Sequence, residues 1–150
     1  MTTQADKNTS ALVHLSTFAQ YVFPFGNYLF PIIIWSFKKD RSEFVDYNGK
    51  QVLNFQLSIL LYSLLLALIA VPCILYCIFN NVSLDVFQNG NFELTDLPSQ
   101  NVITLFIIVG AVFSVFAIMK IAEFFLTIYG AVKTSNGERF KYPFSIAFLR

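Results

Sequence analysis

The sequence predicts an all-α membrane protein with three apolar helical segments, the first of which is broken. Apolar residues make up 56% of the 150 residues and charged residues only 13%, whereas soluble domains average about 25% charged residues. The apolar residues concentrate in residues 11–37, 52–79 and 102–132. Each stretch exceeds the about 20 helical residues that cross a ~30 Å hydrocarbon core. We therefore expect a small polytopic protein with a polar N-terminal end over residues 1–10 and one membrane domain over residues 11–150.

The first apolar segment is interrupted by Pro24, Gly26 and Pro31. Proline removes a backbone hydrogen-bond donor and clashes with the preceding turn, so we expect the helix to break near Pro24 and Gly26. Two arrangements are compatible with this break. The segment forms one kinked span, which we favour, or its first half lies in the membrane interface as an amphipathic helix and the segment is re-entrant.

Positive charge is distributed unevenly among the regions between the segments. Residues 38–50 carry four Lys or Arg residues and the tail 133–150 carries four more, whereas residues 80–101 carry none and contain three acidic residues. Short loops rich in Lys and Arg stay on the cytoplasmic side of a membrane. We therefore expect residues 38–50 and the tail to be cytoplasmic and residues 80–101 to form an outer loop, in an inner (plasma) membrane. The side of the N-terminus depends on whether the first segment spans.

Two stripes of polar residues lie inside the second and third segments. Polar residues recur at i, i+4 and i+8 on the second segment, and small or polar residues recur every three or four residues on the third. Membrane helices pack through such faces, because small residues let backbones approach and polar side chains bond across the interface. We expect the two stripes to face each other. Their polar members are interpreted as helix-packing residues or as a possible polar path: Asn54, Ser58, Tyr62, Lys120, Glu123 and Thr127.

The only charged residues inside an apolar segment are Lys120 and Glu123. A charge within a membrane segment is a candidate functional residue by default. Their i, i+3 spacing lets the two opposite charges neutralise each other in part. A helix that rises 1.5 Å per residue places Lys120 about 27 Å from Val102, near the far side of a bilayer. These points favour a structural or interfacial role for the pair, with a polar path as the alternative.

The C-terminal tail alternates apolar residues with polar or small ones between Arg139 and Phe148. Period-two alternation is typical of an extended chain with two different faces. Aromatic, Lys and Arg residues next to a membrane end favour the lipid headgroup region. We expect the tail to be a cytoplasmic amphipathic arm on the membrane surface, and the alternative is a strand that docks on a partner.

Residue patterns for catalysis or metal binding do not occur in the sequence. His14 is the only histidine, and the chain has no Ser-His-Asp grouping, phosphate-binding Gly-rich loop or H-E-x-x-H motif. Cys73 and Cys77 supply two thiols, whereas zinc sites draw on a larger ligand set. The formal charge of +1 gives no long-range attraction to nucleic acid. We expect no enzymatic activity, no cofactor and no nucleic-acid partner.

A series of short motifs resembles a known family. The motifs are FPIIIW at residues 30–35, KKD at 38–40, FVD at 44–46, NGK at 48–50, VLNFQLS at 52–58, ALVHLS at 11–16, KTSNGE at 133–138 and Tyr142-Pro143. Together they resemble a group of small bacterial membrane proteins of unknown function that is placed with the Tic-twenty-like proteins. The resemblance implies a helical, multi-pass plasma-membrane protein and gives no catalytic residues.

These observations predict a non-enzymatic subunit or scaffold in the membrane. The small-residue stripes and the short polar regions favour a protein that packs against a membrane-protein partner or against itself, with the lipid bilayer around it. The alternative is a pore or carrier component that moves a small solute or a polypeptide, because broken helices at membrane depth often line binding sites.

Overall fold

The computed structural model describes residues 2–79 and 99–149 as a helical chain without strands. The helices are α1 (Gln4–Leu15), a 3₁₀ helix (Ser16–Tyr21), α2 (Gly26–Lys38), α3 (Glu43–Phe79) and α4 (Ser99–Ser135). From residue 136 onward the described tail is non-helical. The all-α prediction is therefore confirmed for the described residues. Most of the predicted outer loop 80–101 lies outside them.

Two helices are long and apolar enough to cross a membrane, namely Glu43–Cys77 within α3 and Ile103–Ser135 within α4. Few side chains in their most apolar windows are buried. A core helix of a soluble protein buries its apolar residues, whereas a helix in lipid leaves them on the outside. The exposed apolar surface therefore fits helices surrounded by lipid. The prediction of three apolar helical segments is wrong, because residues 11–37 do not form a third long helix.

The first segment folds back on itself as a helical hairpin instead of forming one kinked span. Phe25 adopts a left-handed conformation with φ 63°, which reverses the chain after the 3₁₀ helix. Gly26 then lies so close to the first arm that a Cβ atom there would stand 2.6 Å from the carbonyl carbon of Ala19. Glycine is required at such a close backbone approach. The break near Pro24 and Gly26 is confirmed, and the favoured kinked span is wrong.

The two ends of this hairpin lie side by side. At the start of α1, Asp6 accepts hydrogen bonds from the Thr3 amide and hydroxyl at 3.0 and 2.8 Å. These bonds, with a bond from Ser42 and the nearby charge of Lys38, hold the pKa of Asp6 below its usual value. Lys38 ends α2, so the two arms run antiparallel. The contact places the N-terminus at the same end of the hairpin as the connection to α3.

Helix α3 begins earlier than the apolar pattern predicts. Glu43 and Asp46 occupy its first turn, and the Ser42 hydroxyl accepts from the Val45 amide at 3.4 Å. Acidic side chains and a serine cap stabilise a helix N-terminus because they complement its unpaired N–H groups and its dipole. Much of the expected loop 38–50 is therefore helical, and the connection from α2 to α3 is short.

The chain divides into two compact units. The larger unit comprises residues 1–61 and 120–150, and the smaller unit comprises residues 62–119. Aromatic and aliphatic side chains from α1, α3 and the tail form the apolar core of the larger unit: Val13, Val52, Phe55, Phe140 and Tyr142. The ring centroids of Phe55 and Tyr142 lie 4.1 Å apart in a stacked pair.

The interior of the larger unit is rich in polar side chains, whereas large apolar side chains cover its exterior. The buried polar residues are Ser10, His14, Thr17, Asn27, Asn48, Asn54, Gln56, Ser58, Glu123, Thr127 and Thr134. Apolar residues such as Leu12, Ile33 and Phe125 are exposed. This distribution is the one expected where the surroundings are hydrocarbon, because polar groups there must find partners inside the protein.

Candidate functional site: the buried polar contacts of the larger unit

Five of the six predicted polar residues belong to the larger unit. Asn54, Ser58, Glu123 and Thr127 are buried there, and the Lys120 side chain is about one-third exposed. Tyr62 belongs to the smaller unit and is half-buried. Four of the six side chains therefore lie in the protein interior, and their role as helix-packing or polar-path residues stays a prediction.

Lys120, Glu123 and Gln20 bond to one another. The Lys120 ammonium lies 2.8 Å from Glu123 Oε2 and donates to Gln20 Oε1 at 3.2 Å. The Gln20 amide nitrogen donates to Glu123 Oε1 at 3.1 Å. Glu123 is only 2% exposed, so its charge is stabilised by these two partners and not by water. The arrangement joins α4 to the 3₁₀ helix of the hairpin.

The polar stripe of α4 packs against the N-terminal hairpin. Gln20 of the hairpin donates to Glu123 of α4. Gly130 of α4 also comes so close to α1 that a Cβ atom there would stand 2.7 Å from His14 Nδ1. The bond and the close approach lie seven residues apart, or about two helical turns, on one face of α4. These two contacts place the hairpin against this face of α4, and the expected pairing of the α3 and α4 stripes stays a prediction.

Asn54 and Ser58 of α3 hold the backbone of the C-terminal tail. Asn54 Oδ1 accepts from the amides of Phe148 and Leu149 at 3.1 and 2.7 Å, and Asn54 Nδ2 donates to the Leu149 carbonyl at 3.0 Å. The Ser58 hydroxyl accepts from the Ile146 amide at 2.8 Å. These two α3 side chains therefore supply hydrogen-bond partners to backbone groups of the non-helical tail, which has no helix or sheet of its own to satisfy them.

The tail is non-helical but turns at residues 143–144, where Phe144 has φ 58°, and two of its aromatic side chains belong to the protein core. Phe140 and Tyr142 are buried, whereas Phe144 is 85% exposed. The Phe140 amide donates to Asn48 Oδ1 at 3.3 Å. The prediction that the aromatic residues of the tail lie on lipid headgroups is therefore wrong for Phe140 and Tyr142. The alternation pattern predicted neither the turn at residues 143–144 nor the surface against which the tail packs.

His14 and Tyr142 form a buried pair that the sequence reasoning missed. His14 Nδ1 and the Tyr142 hydroxyl share a hydrogen bond of 2.7 Å, and the two rings stack with centroids 5.5 Å apart. Burial raises the pKa of the Tyr142 hydroxyl well above its usual value, and the negative charge of Glu123 adds to this rise. The pair joins α1 to the tail across 128 residues of sequence, so no local pattern indicates it.

A second missed contact joins α2 to α3. Asn27 Nδ2 donates to Gln56 Oε1 at 2.8 Å, and the Tyr28 hydroxyl donates to the Gln56 carbonyl at 3.3 Å. Asn27 and Gln56 are both buried. The VLNFQLS motif contains Gln56, but only the fold shows that the glutamine bonds to the hairpin.

The site is a set of interlocking helix contacts. Its hydrogen bonds connect the hairpin with α3 and α4, and α3 with the tail. Within residues 2–79 and 99–149, no three His, Cys, Asp or Glu residues group as metal ligands. Buried polar bonds of this kind fix one packing arrangement among helices whose outer surfaces are apolar.

Comparison with known proteins identifies the family. The model of the magnetosome magnetite crystal formation protein family (MamF/MmsF) matches residues 5–149. No curated protein and no solved structure matches the chain. The resemblance to the Tic-twenty-like proteins is therefore wrong as a family assignment, because its motifs fall within a region that the magnetosome family model matches. The chain belongs to the magnetosome magnetite crystal formation protein family.

Proposed function

We propose that the protein is a non-enzymatic subunit of the magnetosome membrane that takes part in magnetite crystal formation by packing with itself or with another membrane protein. The observation that carries this proposal is the family match over residues 5–149. Two helices long enough to span a membrane and the apolar exterior of the larger unit support its membrane location.

The polar contacts of the larger unit support a structural role. Glu123, Lys120 and Gln20 bond to one another, and Asn54 and Ser58 bond to the tail. Polar side chains used in this way hold helices together. The exposed apolar faces of α3 and α4 are then the surfaces that meet lipid or a protein partner.

The positive charges support an orientation. Residues 38–50 and the tail are rich in Lys and Arg, so we place both on the cytoplasmic side of an inner membrane or of the magnetosome membrane. Since the two ends of the hairpin lie together, the N-terminus belongs on the same side.

The experiment is gene deletion with complementation in a magnetite-forming cell. The expected result is that deletion changes crystal size or number in electron micrographs, that the wild-type gene restores it, and that the tagged protein fractionates with magnetosome membranes. The Glu123→Ala variant should restore poorly because its larger unit is destabilised. Ser114→Ala, whose hydroxyl bonds to its own helix at Gly110, is the matched control. Normal crystals after deletion overturn the proposed role in crystal formation.

Crosslinking tests the proposed packing. Treatment of native magnetosome membranes with a membrane-permeant crosslinker, followed by affinity capture in mild detergent, should recover a homo-oligomer or one defined membrane protein. Recovery of the monomer alone, with a known oligomeric membrane protein crosslinked in the same sample as a positive control, contradicts the subunit proposal.

A pore or carrier role is the second proposal, and the presence of Lys120 and Glu123 within a candidate span favours it. Intramembrane charges commonly mark ion and substrate paths. Proteoliposomes containing the pure protein should then show a flux of ions, including iron ions. Glu123→Gln should abolish this flux without loss of helix content. Flux equal to that of empty liposomes ends this proposal.

A further inference from the structure

The N-terminal hairpin, residues 4–38, carries charge only at its open end. Between Lys7 and Lys38 the sequence contains no Asp, Glu, Lys or Arg. The open end brings Asp6 close to Ser42 and Lys38. Charged groups avoid hydrocarbon and stay near water. The hairpin therefore has one polar end, and the thirty residues between Lys7 and Lys38 are free of Asp, Glu, Lys and Arg. This is the pattern of an element that enters a membrane and leaves it on the same side.

The hairpin directs its polar side chains toward the rest of the larger unit. His14 of α1 bonds to Tyr142, and Gln20 of the 3₁₀ helix bonds to Glu123. Asn27 of α2 bonds to Gln56. The opposite face carries exposed apolar residues, including Leu15 and Phe30. Non-helical backbone at membrane depth is tolerated when other parts of the protein cover its polar groups.

The tip of the hairpin, residues 21–25, has an apolar and exposed surface. Val22 is 90% exposed, and Tyr21, Phe23 and Phe25 are exposed as well. The Pro24 ring lies among them, and proline contributes no N–H that needs a partner. Side chains of this kind are unfavourable in water and well matched to acyl chains.

The length of the hairpin is too small for a crossing. Helix α2 has 13 residues, which span about 20 Å at 1.5 Å per residue. A helix needs about 20 residues to cross the ~30 Å hydrocarbon core. Starting from Lys38 at the headgroups, α2 therefore ends inside the bilayer.

We propose that residues 4–38 form a re-entrant hairpin whose tip contacts lipid acyl chains in the leaflet on the side of residues 38–50. The chain then crosses the membrane through α3 and α4 only, and the N-terminus lies on the same side as residues 38–50. The hairpin displaces lipid in one leaflet and not in the other, so it is a leaflet-specific wedge. This inference rests on the membrane location proposed above and not on a role in crystal formation.

Acyl chains fit the tip better than a second protein copy does. The hairpin's own charged groups lie at the opposite end, and Lys120, which lies beside Tyr21, is paired with Glu123, so the tip itself offers a protein partner in water no charge to bind. The tip also has aromatic residues on both sides of Pro24, and bulky rings do not favour the close helix approach that small residues provide. Lipid requires neither charge complementarity nor close backbone contact.

Single-cysteine labelling tests this arrangement in the full-length protein. A background with Cys73→Ala and Cys77→Ala carries Gln4→Cys, Asp40→Cys or Val22→Cys, all at exposed positions. Variants that retain the helix content of the parent are reconstituted into sealed vesicles. An impermeant maleimide reports the side of residues 4 and 40. A fluorophore on residue 22 reports depth through quenching by lipids brominated at different acyl positions, with Leu65→Cys as the reference for a lipid-facing span.

The expected result is that residues 4 and 40 label from the same side, whereas residue 22 resists the impermeant reagent from both sides and is quenched by brominated lipid. Three results overturn the proposal: residues 4 and 40 labelling from opposite sides, residue 22 labelling from water, or Val22→Cys crosslinking between two copies with loss of lipid quenching.

Alkaline carbonate extraction separates this inference from the proposed membrane location. If the protein leaves the membrane in carbonate, the membrane location fails and the hairpin proposal fails with it. If the protein stays in the membrane and residue 22 labels from water, only the hairpin proposal fails.

Discussion

In the larger unit the buried residues include eleven with polar side chains, whereas Ala70 is the only buried residue among the described side chains of the smaller unit. In lipid, apolar surface gains little from contact with another helix, because acyl chains are as apolar as leucine. Polar side chains are costly in hydrocarbon unless they are bonded inside the protein. The comparison teaches that polar contacts specify the fold of the larger unit, whereas the smaller unit presents helices whose faces remain available to lipid or a partner.

Loss of the Glu123 carboxylate should produce the largest effect. Glu123→Ala leaves the Gln20 amide and the Lys120 ammonium without their shared partner, which costs about 2–3 kcal/mol in the free energy of unfolding. Unfolding in mixed micelles with increasing SDS, followed by circular dichroism, measures the change. Ser114→Ala in the smaller unit should change stability by less than about 0.5 kcal/mol. Equal losses for the two variants contradict the contrast between the units.

Two glycines of α4 offer a matched pair across the units. A methyl group at Gly130 would stand 2.7 Å from His14 Nδ1 and 2.9 Å from Phe140 Cδ1, whereas nothing lies within 4 Å at Gly110. Overpacking at Gly130→Ala should cost about 1–3 kcal/mol. Gly110→Ala should stabilise the helix by up to about 1 kcal/mol, because alanine loses less backbone entropy than glycine. The same SDS titration should give changes of opposite sign, and a matching sign at both positions contradicts the close packing at Gly130.

Removal of the Asn54 side chain should release the tail without unfolding the helices. Asn54→Ala deletes three hydrogen bonds to the backbone of Phe148 and Leu149, and each is worth about 1 kcal/mol at most in net terms. Hydrogen exchange at these two amides should accelerate, while the amides in the middle of α3 keep their protection. Ser58→Ala, which deletes the single bond from Ile146, is the control and should expose that amide alone. Unchanged exchange in both variants shows that the tail is held elsewhere.

Some features of the fold can be predicted from the sequence, because they depend on local chemistry. Pro24 and Gly26 mark the break in the first segment, and the polar spacing on α4 marks its packing face. The helices themselves follow from long apolar runs. Family membership could not be predicted from the short motifs that suggested a Tic-twenty-like protein. These motifs lie within the region that the magnetosome family model matches.

The partners of the polar residues are decided by contacts distant in sequence. Gln20 meets Glu123, and Asn54 meets Leu149, which are separated by most of the chain. A polar stripe indicates that a helix face is buried, but any neighbour with a donor or acceptor can satisfy it. The reversal at Phe25 contributes to this choice, because it is part of the hairpin whose Gln20 bonds to Glu123 of α4. A positive φ at a phenylalanine is rare, so the residue type gives no warning of the turn.

The hydroxyl of Tyr142 should contribute the smallest of these effects, and its contribution should depend on pH. Tyr142→Phe keeps the ring stacked on Phe55 but removes the hydrogen bond to His14, which costs about 1 kcal/mol. Burial, aided by the charge of Glu123, raises the pKa of Tyr142 in the folded protein, whereas the unfolded value is about 10. The neutral phenol is therefore favoured by folding. Its contribution to stability is complete below pH ~10 and is lost as pH rises toward the raised folded pKa.

The measurement compares SDS unfolding of wild type and Tyr142→Phe over a series of alkaline pH values. The stability advantage of the wild type should be constant up to pH ~10 and shrink above it, while the variant lacks this titration. The difference between their ultraviolet titration curves isolates this phenol from the other tyrosines. An ionisation of Tyr142 in step with exposed tyrosines would show that its hydroxyl is open to water, and the polar interior of the larger unit would then be hydrated instead of closed around His14.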